Sequence, residues 1–267
     1  MNSLLRVAIY GTGVLVVMFL MLPILAVIPA SFNHASFIQL PPSRWSLRWY
    51  EAFLADSEWY QSLFTSIQVA VVATLLSLGL GTTAALGLQK ASPRWRTVLN
   101  AVLISPLVVP VIITAIALYY TMRPLGLHGT TLGMAMGHTV LALPFVVVNV
   151  GVALRSIEPN CLRAAEGLGA SPFATFRTIT LPLISPGLAS GAAFAFITSF
   201  DEVVVSIFLS SATTKTLSVK MWEIIRVEYT PVTAVASAIL MVVTFLLFVL
   251  VQFALRHRTG QEGGHAR

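Results

Sequence analysis

Charge is what this chain has least of. Only 10 % of its 267 residues are charged, where a soluble domain carries roughly 25 %. A water-soluble fold of this length has no means of covering its surface with so few ions, which excludes a soluble enzyme. Disorder is excluded by the opposite excess, because 57 % of the residues are hydrophobic and such a chain does not stay solvated. Cys161 stands alone, so neither an internal disulfide framework nor a multi-cysteine zinc site exists. Lysine is scarce too: Lys90, Lys215 and Lys220 each lack a preceding glycine, so the chain has no G-x-x-x-x-G-K-[ST] phosphate loop. The histidines at 34, 128, 138, 257 and 265 form no H-E-x-x-H pair, and no serine stands in a G-x-S-x-G elbow. No catalytic residue, metal ligand or cofactor is expected. The net charge of +6 is scattered between apolar runs rather than gathered in a stripe, so nucleic acid is not an expected partner.

Long uncharged runs are what the chain does have. Six stretches reach the roughly 20 apolar residues that a helix needs to cross a bilayer: 7–32, 61–88, 98–122, 131–154, 183–209 and 231–255. They are continuous rather than alternating, which argues against a β-barrel. The expected fold is all-α, a polytopic membrane protein with six transmembrane helices in one domain over residues 1–267. Span one is too long for the 7–15-residue core of a secretory signal, so it is read as a retained span.

With the N-terminus in the cytoplasm, the inner segments hold ten cations: Arg6, Lys90, Arg94, Arg96, Arg155, Arg163, Arg177, Arg256, Arg258 and Arg267. The outer segments hold six, Arg44, Arg48, Arg123, Lys215, Lys220 and Arg226. That bias places both termini in the cytoplasm. Trp45, Trp49, Tyr50, Trp59, Tyr60, Tyr119, Tyr120, Trp222 and Tyr229 then all fall at outer ends.

Smaller patterns concern packing. Trp45, Trp49 and Phe53 recur every four residues, consistent with a short interfacial helix or with a loop pinned by tryptophan. Ser77, Gly81 and Ala85, and again Gly129, Gly133 and Gly137, form small-residue ridges that let helices approach closely in lipid. His138, inside span four, reads as a hydrogen bond between helices more readily than as a ligand.

The cytoplasmic segment between spans four and five carries the most information. Pro159 suits a first helical turn, the run through Ala164 and Ala165 favours helix, and Gly169 supplies a left-handed exit. Ser171-Pro172 starts a further turn. Two short helices over about 158–176 are expected, with Leu162, Ala165 and Leu168 as an apolar knob. Such a knob beyond the bilayer suggests a docking element for a soluble partner.

Here the sequence resembles the inner-membrane permeases of binding-protein-dependent ABC importers of type I. Their cytoplasmic signature, EAA-x3-G-x9-I-x-L-P, is matched by Ala164, Ala165, Gly169, Ile179, Leu181 and Pro182. Arg163 stands where the family has its acidic residue, and Glu166 one turn on offers a partial substitute. Leu47-Arg48-Trp49-Tyr50, Pro182 to Gly187 leading to Ser199-Phe200-Asp201-Glu202, and Lys220-Met221-Trp222 are similar to the spermidine/putrescine branch. The resemblance implies two permeases side by side, two ATPase subunits that bind ATP and Mg, and a soluble substrate-binding protein outside. It also implies an inner-membrane location and coupling through residues 163–172.

Asp201 and Glu202 fall inside the expected fifth span, where a carboxylate costs about 2.5–3.5 kcal/mol on insertion scales unless paired or facing water. They are read either as lining the outer half of a cation pathway, with Ser199, Trp222 and Glu223, or structurally, as helix-to-helix hydrogen bonds or as carboxylates placed at the headgroup boundary. Glu223 and Glu228 in the last outer loop would extend that path, contact the binding protein, or be solvated charges. Two other classes compete: a secondary transporter relaying protons through His138, Asp201 and Glu202, and a scaffold without a solute path. Neither accounts for the loop signature.

Overall fold

A computed structural model describes residues 3–227 and 230–262; Glu228, Tyr229 and Arg267 lie outside them. The described chain is helical, and its sole β-type pairing is an isolated bridge between Asn33 and Trp45. In order the helices are α1 (Ser3–Ser31), α2 (Arg48–Ala55), α3 (Ser57–Lys90), α4 (Pro93–Ile104), α5 (Val111–Met122) and α6 (Thr131–Arg155). After these come α7 (Pro159–Gly167), α8 (Pro172–Thr175), α9 (Leu181–Phe200), α10 (Val204–Leu209), α11 (Leu217–Ile225) and α12 (Pro231–Glu262). Five unbroken helical stretches are long and apolar enough to span a membrane, namely Ile9–Ser31, Ser57–Lys90, Thr131–Arg155, Pro172–Phe200 and Pro231–Phe253. Counted as one broken span, a bent pair brings the number to six.

That bent pair corrects the expectation of one straight helix over 98–122. Pro93–Leu107 and Val111–Met122 meet at 98°. Pro106 and Pro110 supply no N–H, and each disfavours helical backbone in the residue before it. The chain tightens into a 3-10 turn at Ser105–Leu107 and restarts after Pro110, which is extended (ψ 127°). Span five is also displaced. Its helix begins at Pro172, passes through a π turn at Phe176–Thr180, and stops at Phe200 rather than 209. Pro182 cannot donate to the carbonyl four residues back, which accounts for the widened turn beside it.

Two compact units make up the chain. The first comprises residues 1–60 and 220–242. The tryptophan pattern resolves here into both of its readings. Trp49 and Phe53 lie on α2, with Phe53 buried, whereas Trp45 precedes the helix, bridges to Asn33 and stays exposed. Trp49 Nε1 donates to the Ala35 carbonyl at 3.0 Å, and the Tyr50 and Ser31 hydroxyls meet at 2.8 Å. Lys220, counted above among the outer-loop cations, is buried. Its ammonium pairs with Glu58 and lies 5.8 Å from the centre of the Trp59 ring.

The second unit comprises residues 61–219 and 243–267. Its core forms where α3, α6 and α9 meet, around Ala85, Val146, Val150, Leu154 and Ile184. The small residues decide how close these helices come. A Cβ on Gly81 would stand 2.7 Å from Val146 Cγ1. One on Gly187 would stand 2.6 Å from Ala153 Cβ and 2.8 Å from the Asn149 carbonyl oxygen. Backbone cannot yield as a side-chain tip does. Gly187→Ala is therefore expected to destabilise the second unit by about 1–3 kcal/mol, the usual cost of overpacking, read as a lower thermal midpoint of the purified protein. An unchanged midpoint would show that α6 and α9 can separate freely.

Candidate functional site

Two places in the second unit carry most of the residues singled out by sequence, while Trp222 and Glu223 belong to the first unit. The first is the segment after α6. Pro159 opens α7 as its first residue, and α7 ends in a Schellman motif. Gly169 sits at φ +81°, its N–H donates to the Glu166 carbonyl at 2.9 Å, and the Ala170 N–H reaches the Ala165 carbonyl at 3.0 Å. Ser171 then caps α8 by accepting the Ala174 N–H at 3.3 Å. The reversal is thus held by the two Schellman backbone bonds, and the Ser171 hydroxyl caps the helix that follows.

The expected knob of Leu162, Ala165 and Leu168 is corrected. Ala165 is buried, because the returning chain closes over it, while Leu168 is 89 % and Phe173 72 % exposed. The bare apolar tip is therefore Leu168 with Phe173. Arg163, Ala164 and Glu166 are exposed around it. Ile179 is half-buried in the π turn, and Leu181 and Pro182 lie exposed at the start of α9.

The second place is the break between α9 and α10. Asp201 and Glu202 do not lie within a spanning helix, which is a correction. Asp201 ends α9, its N–H bonded to the Ile197 carbonyl at 3.1 Å, and its side chain is exposed. Glu202 is half-buried and accepts the Val205 N–H at 2.8 Å, closing the first turn of α10. The cost of a carboxylate at membrane depth is avoided by placing both at the end of the helix.

Ser199, expected on the pathway, is instead buried. Its hydroxyl lies 2.8 Å from His138 Nδ1, while His138 Nε2 lies 2.9 Å from the Ser206 hydroxyl. Ser206 donates its one proton to the Glu202 carbonyl at 2.9 Å. His138 Nε2–H must therefore donate to Ser206, and Nδ1 accepts from Ser199. A neutral imidazole thus ties α6 to both sides of the break, so the reading of His138 as an interhelical hydrogen bond holds. The participation of Ser206 was not legible in sequence, since nothing local pairs it with a residue 68 positions away. Trp222 and Glu223 belong to α11 and are both exposed; the Arg226 guanidinium lies 5.9 Å from the centre of the Trp222 ring.

Residues 77–260 match the family described as binding-protein-dependent transport system inner membrane component. The chain belongs to that family. It is a permease subunit of an ABC importer, a multi-pass component of the inner membrane. The permease is 28 % identical to the spermidine/putrescine transport system permease protein PotC of Shigella flexneri, over 93 % of this chain and 94 % of that one. It is 30 % identical to the putrescine transport system permease protein PotI of Escherichia coli, over 86 % and 85 %. Its fold is shared with a bacterial alginate ABC transporter solved with a pentasaccharide-bound periplasmic protein. There the TM-score is 0.73 at 15 % identity, over 96 % of the permease and 95 % of the matched chain. These likenesses leave no support for an ion-coupled secondary transporter.

Proposed function

We propose that the permease, a single functional domain over residues 1–267, forms half of the pathway of an ATP-driven polyamine importer. A second, different PotB-like permease supplies the other half. Two ATPase subunits bind ATP and Mg and carry out hydrolysis, and a soluble binding protein delivers the cargo from outside. Both termini face the cytoplasm, where the positive-inside bias puts them. The observation that carries the cargo is the 28–30 % identity to spermidine/putrescine and putrescine permeases along nearly the whole chain.

Residues 163–172 couple the two machines, with Ala164, Ala165 and Gly169 shaping the reversal that presents Leu168 and Phe173 to a groove on the ATPase. Arg163 and Glu166 flank that tip, and Ile179, Leu181 and Pro182 pass its motion into α9. ATP shifts the equilibrium only through its different affinity for the open and closed ATPase pair, and the coupling segment transmits that difference. In the second unit Asp201 and Glu202, at the other end of α9, attract a polycation; in the first unit Glu223 adds negative charge and Trp222 an aromatic face for an ammonium group. Ser199 acts only through His138, holding the break in place.

Uptake of labelled putrescine and spermidine by a deletion strain, with and without the restored chain, tests the cargo. Uptake that returns with the chain and survives a proton uncoupler is expected; unchanged uptake on deletion overturns the reading. Asp201→Asn with Glu202→Gln tests the charges, because both changes keep side-chain size and Glu202→Gln keeps an oxygen able to accept the Val205 N–H. At about 1 kcal/mol per exposed charge at about 4 Å, each loss is expected to raise KM roughly fivefold. An unaltered KM would leave both carboxylates a purely structural role.

A further inference from the structure

The second unit holds a pocket of about 490 Å³ at the membrane end shared by α3, α4 and α6, unconnected with the cargo residues above. Its lining holds two cations, Arg96 and Arg155, the neutral polar Thr97 and Asn100, and apolar side chains that include Val147 and Val148. Arg96 donates to the Ala91 carbonyl at 3.3 Å and Arg155 to the Gly151 carbonyl at 3.1 Å. Among the described residues neither guanidinium pairs with a carboxylate. From Arg155 to Val147 the pocket follows α6 for about 12 Å, at about 1.5 Å per residue. Charge is therefore confined to one end, at the level of the headgroups, while Val147 and Val148 lie at the level of the acyl chains beside the uncharged Asn100. A free phosphate would satisfy the arginines and leave the apolar surface bare. A polyamine would be repelled by two uncompensated cations.

We infer that this pocket binds one anionic phospholipid, its phosphate between Arg96 and Arg155 and an acyl chain against Val147 and Val148. Basic pockets between helices at the cytoplasmic side of a bundle recognise such headgroups, with about 1 kcal/mol per Lys or Arg near the surface. The two charges together correspond to a loss of about thirtyfold on neutralisation. The site depends only on the spanning helices, so it stands or falls independently of the cargo.

Native mass spectrometry of the detergent-purified permease complex, titrated with phosphatidylglycerol or with phosphatidylcholine, tests this. The wild-type complex is expected to retain phosphatidylglycerol preferentially, and Arg96→Gln with Arg155→Gln to weaken it about thirtyfold. The pair Lys90→Gln and Arg94→Gln, in the same turn but off the lining, is expected to change little. Val148→Trp keeps both charges and adds bulk to the apolar lining, so it should reduce phosphatidylglycerol retention if the double arginine variant fails to fold. Displacement of the lipid by millimolar inorganic phosphate would assign the site to a small anion and overturn the inference. So would equal retention of the two lipids, or an equal loss in the Lys90 and Arg94 pair.

Discussion

Gly169→Val is expected to lower polyamine uptake about tenfold or more while leaving the amount of permease in the membrane unchanged. At φ +81° an L side chain pays about 1–2 kcal/mol, which lowers the native reversal against competing conformations by about 5- to 30-fold. The effect is one of backbone and not of space, because a Cβ at Gly169 meets nothing within 4 Å. The Schellman bonds to the Glu166 and Ala165 carbonyls would open, and Leu168 and Phe173 would no longer be presented together. Gly167 gives a matched control. It lies in α7 without positive φ and likewise has nothing within 4 Å of its Cβ, so Gly167→Val is expected to keep most uptake. Gly169→Asn should fall between, since asparagine tolerates the left-handed region. The readout is labelled uptake beside the ATPase rate of the assembled importer, where a persisting ATPase with lost uptake marks uncoupling. Wild-type transport by Gly169→Val would remove the coupling role of this turn.

What the sequence made legible was whatever chemistry is local. Spans one, two, four and six emerge because twenty apolar residues in a row have few alternatives in lipid, and the α7 to α8 reversal emerges because proline, glycine and serine each act on their own backbone. The errors come from competition between neighbours. Hydropathy over 98–122 is unbroken, yet two prolines four residues apart outweigh it and bend the chain by 98°. Hydropathy likewise ran through 201 and 202 to Leu209, although a helix can stop wherever a carboxylate is able to close the next turn, as Glu202 does. Contacts across the fold were invisible: the burial of Ala165, the Lys220 pair with Glu58, and Ser206 beside His138 each require knowing which helices meet. The small-residue ridges announced close approach without naming the partner, which for Gly81 proves to be Val146.

His138→Leu is expected to destabilise the permease by about 2–3 kcal/mol and to shift its thermal midpoint down by about 5–10 °C. Leucine has nearly the volume of histidine, so the loss is polar. Ser199 loses the acceptor of its proton, and an orphaned buried hydroxyl costs about 1–3 kcal/mol. Ser206 keeps the Glu202 carbonyl and should contribute less. Ser199→Ala in the His138→Leu background removes the orphan and is expected to restore part of the loss. The resulting coupling energy would be about 1 kcal/mol, the range of interhelical hydrogen bonds in membranes. A proton relay through His138 predicts a different pattern, in which uptake disappears without any change in thermal midpoint. Because the donor chain from Ser199 through His138 and Ser206 ends on a backbone carbonyl, it offers a proton nowhere to go. Strictly additive losses for the two substitutions would mean that Ser199 and His138 do not hold the break together.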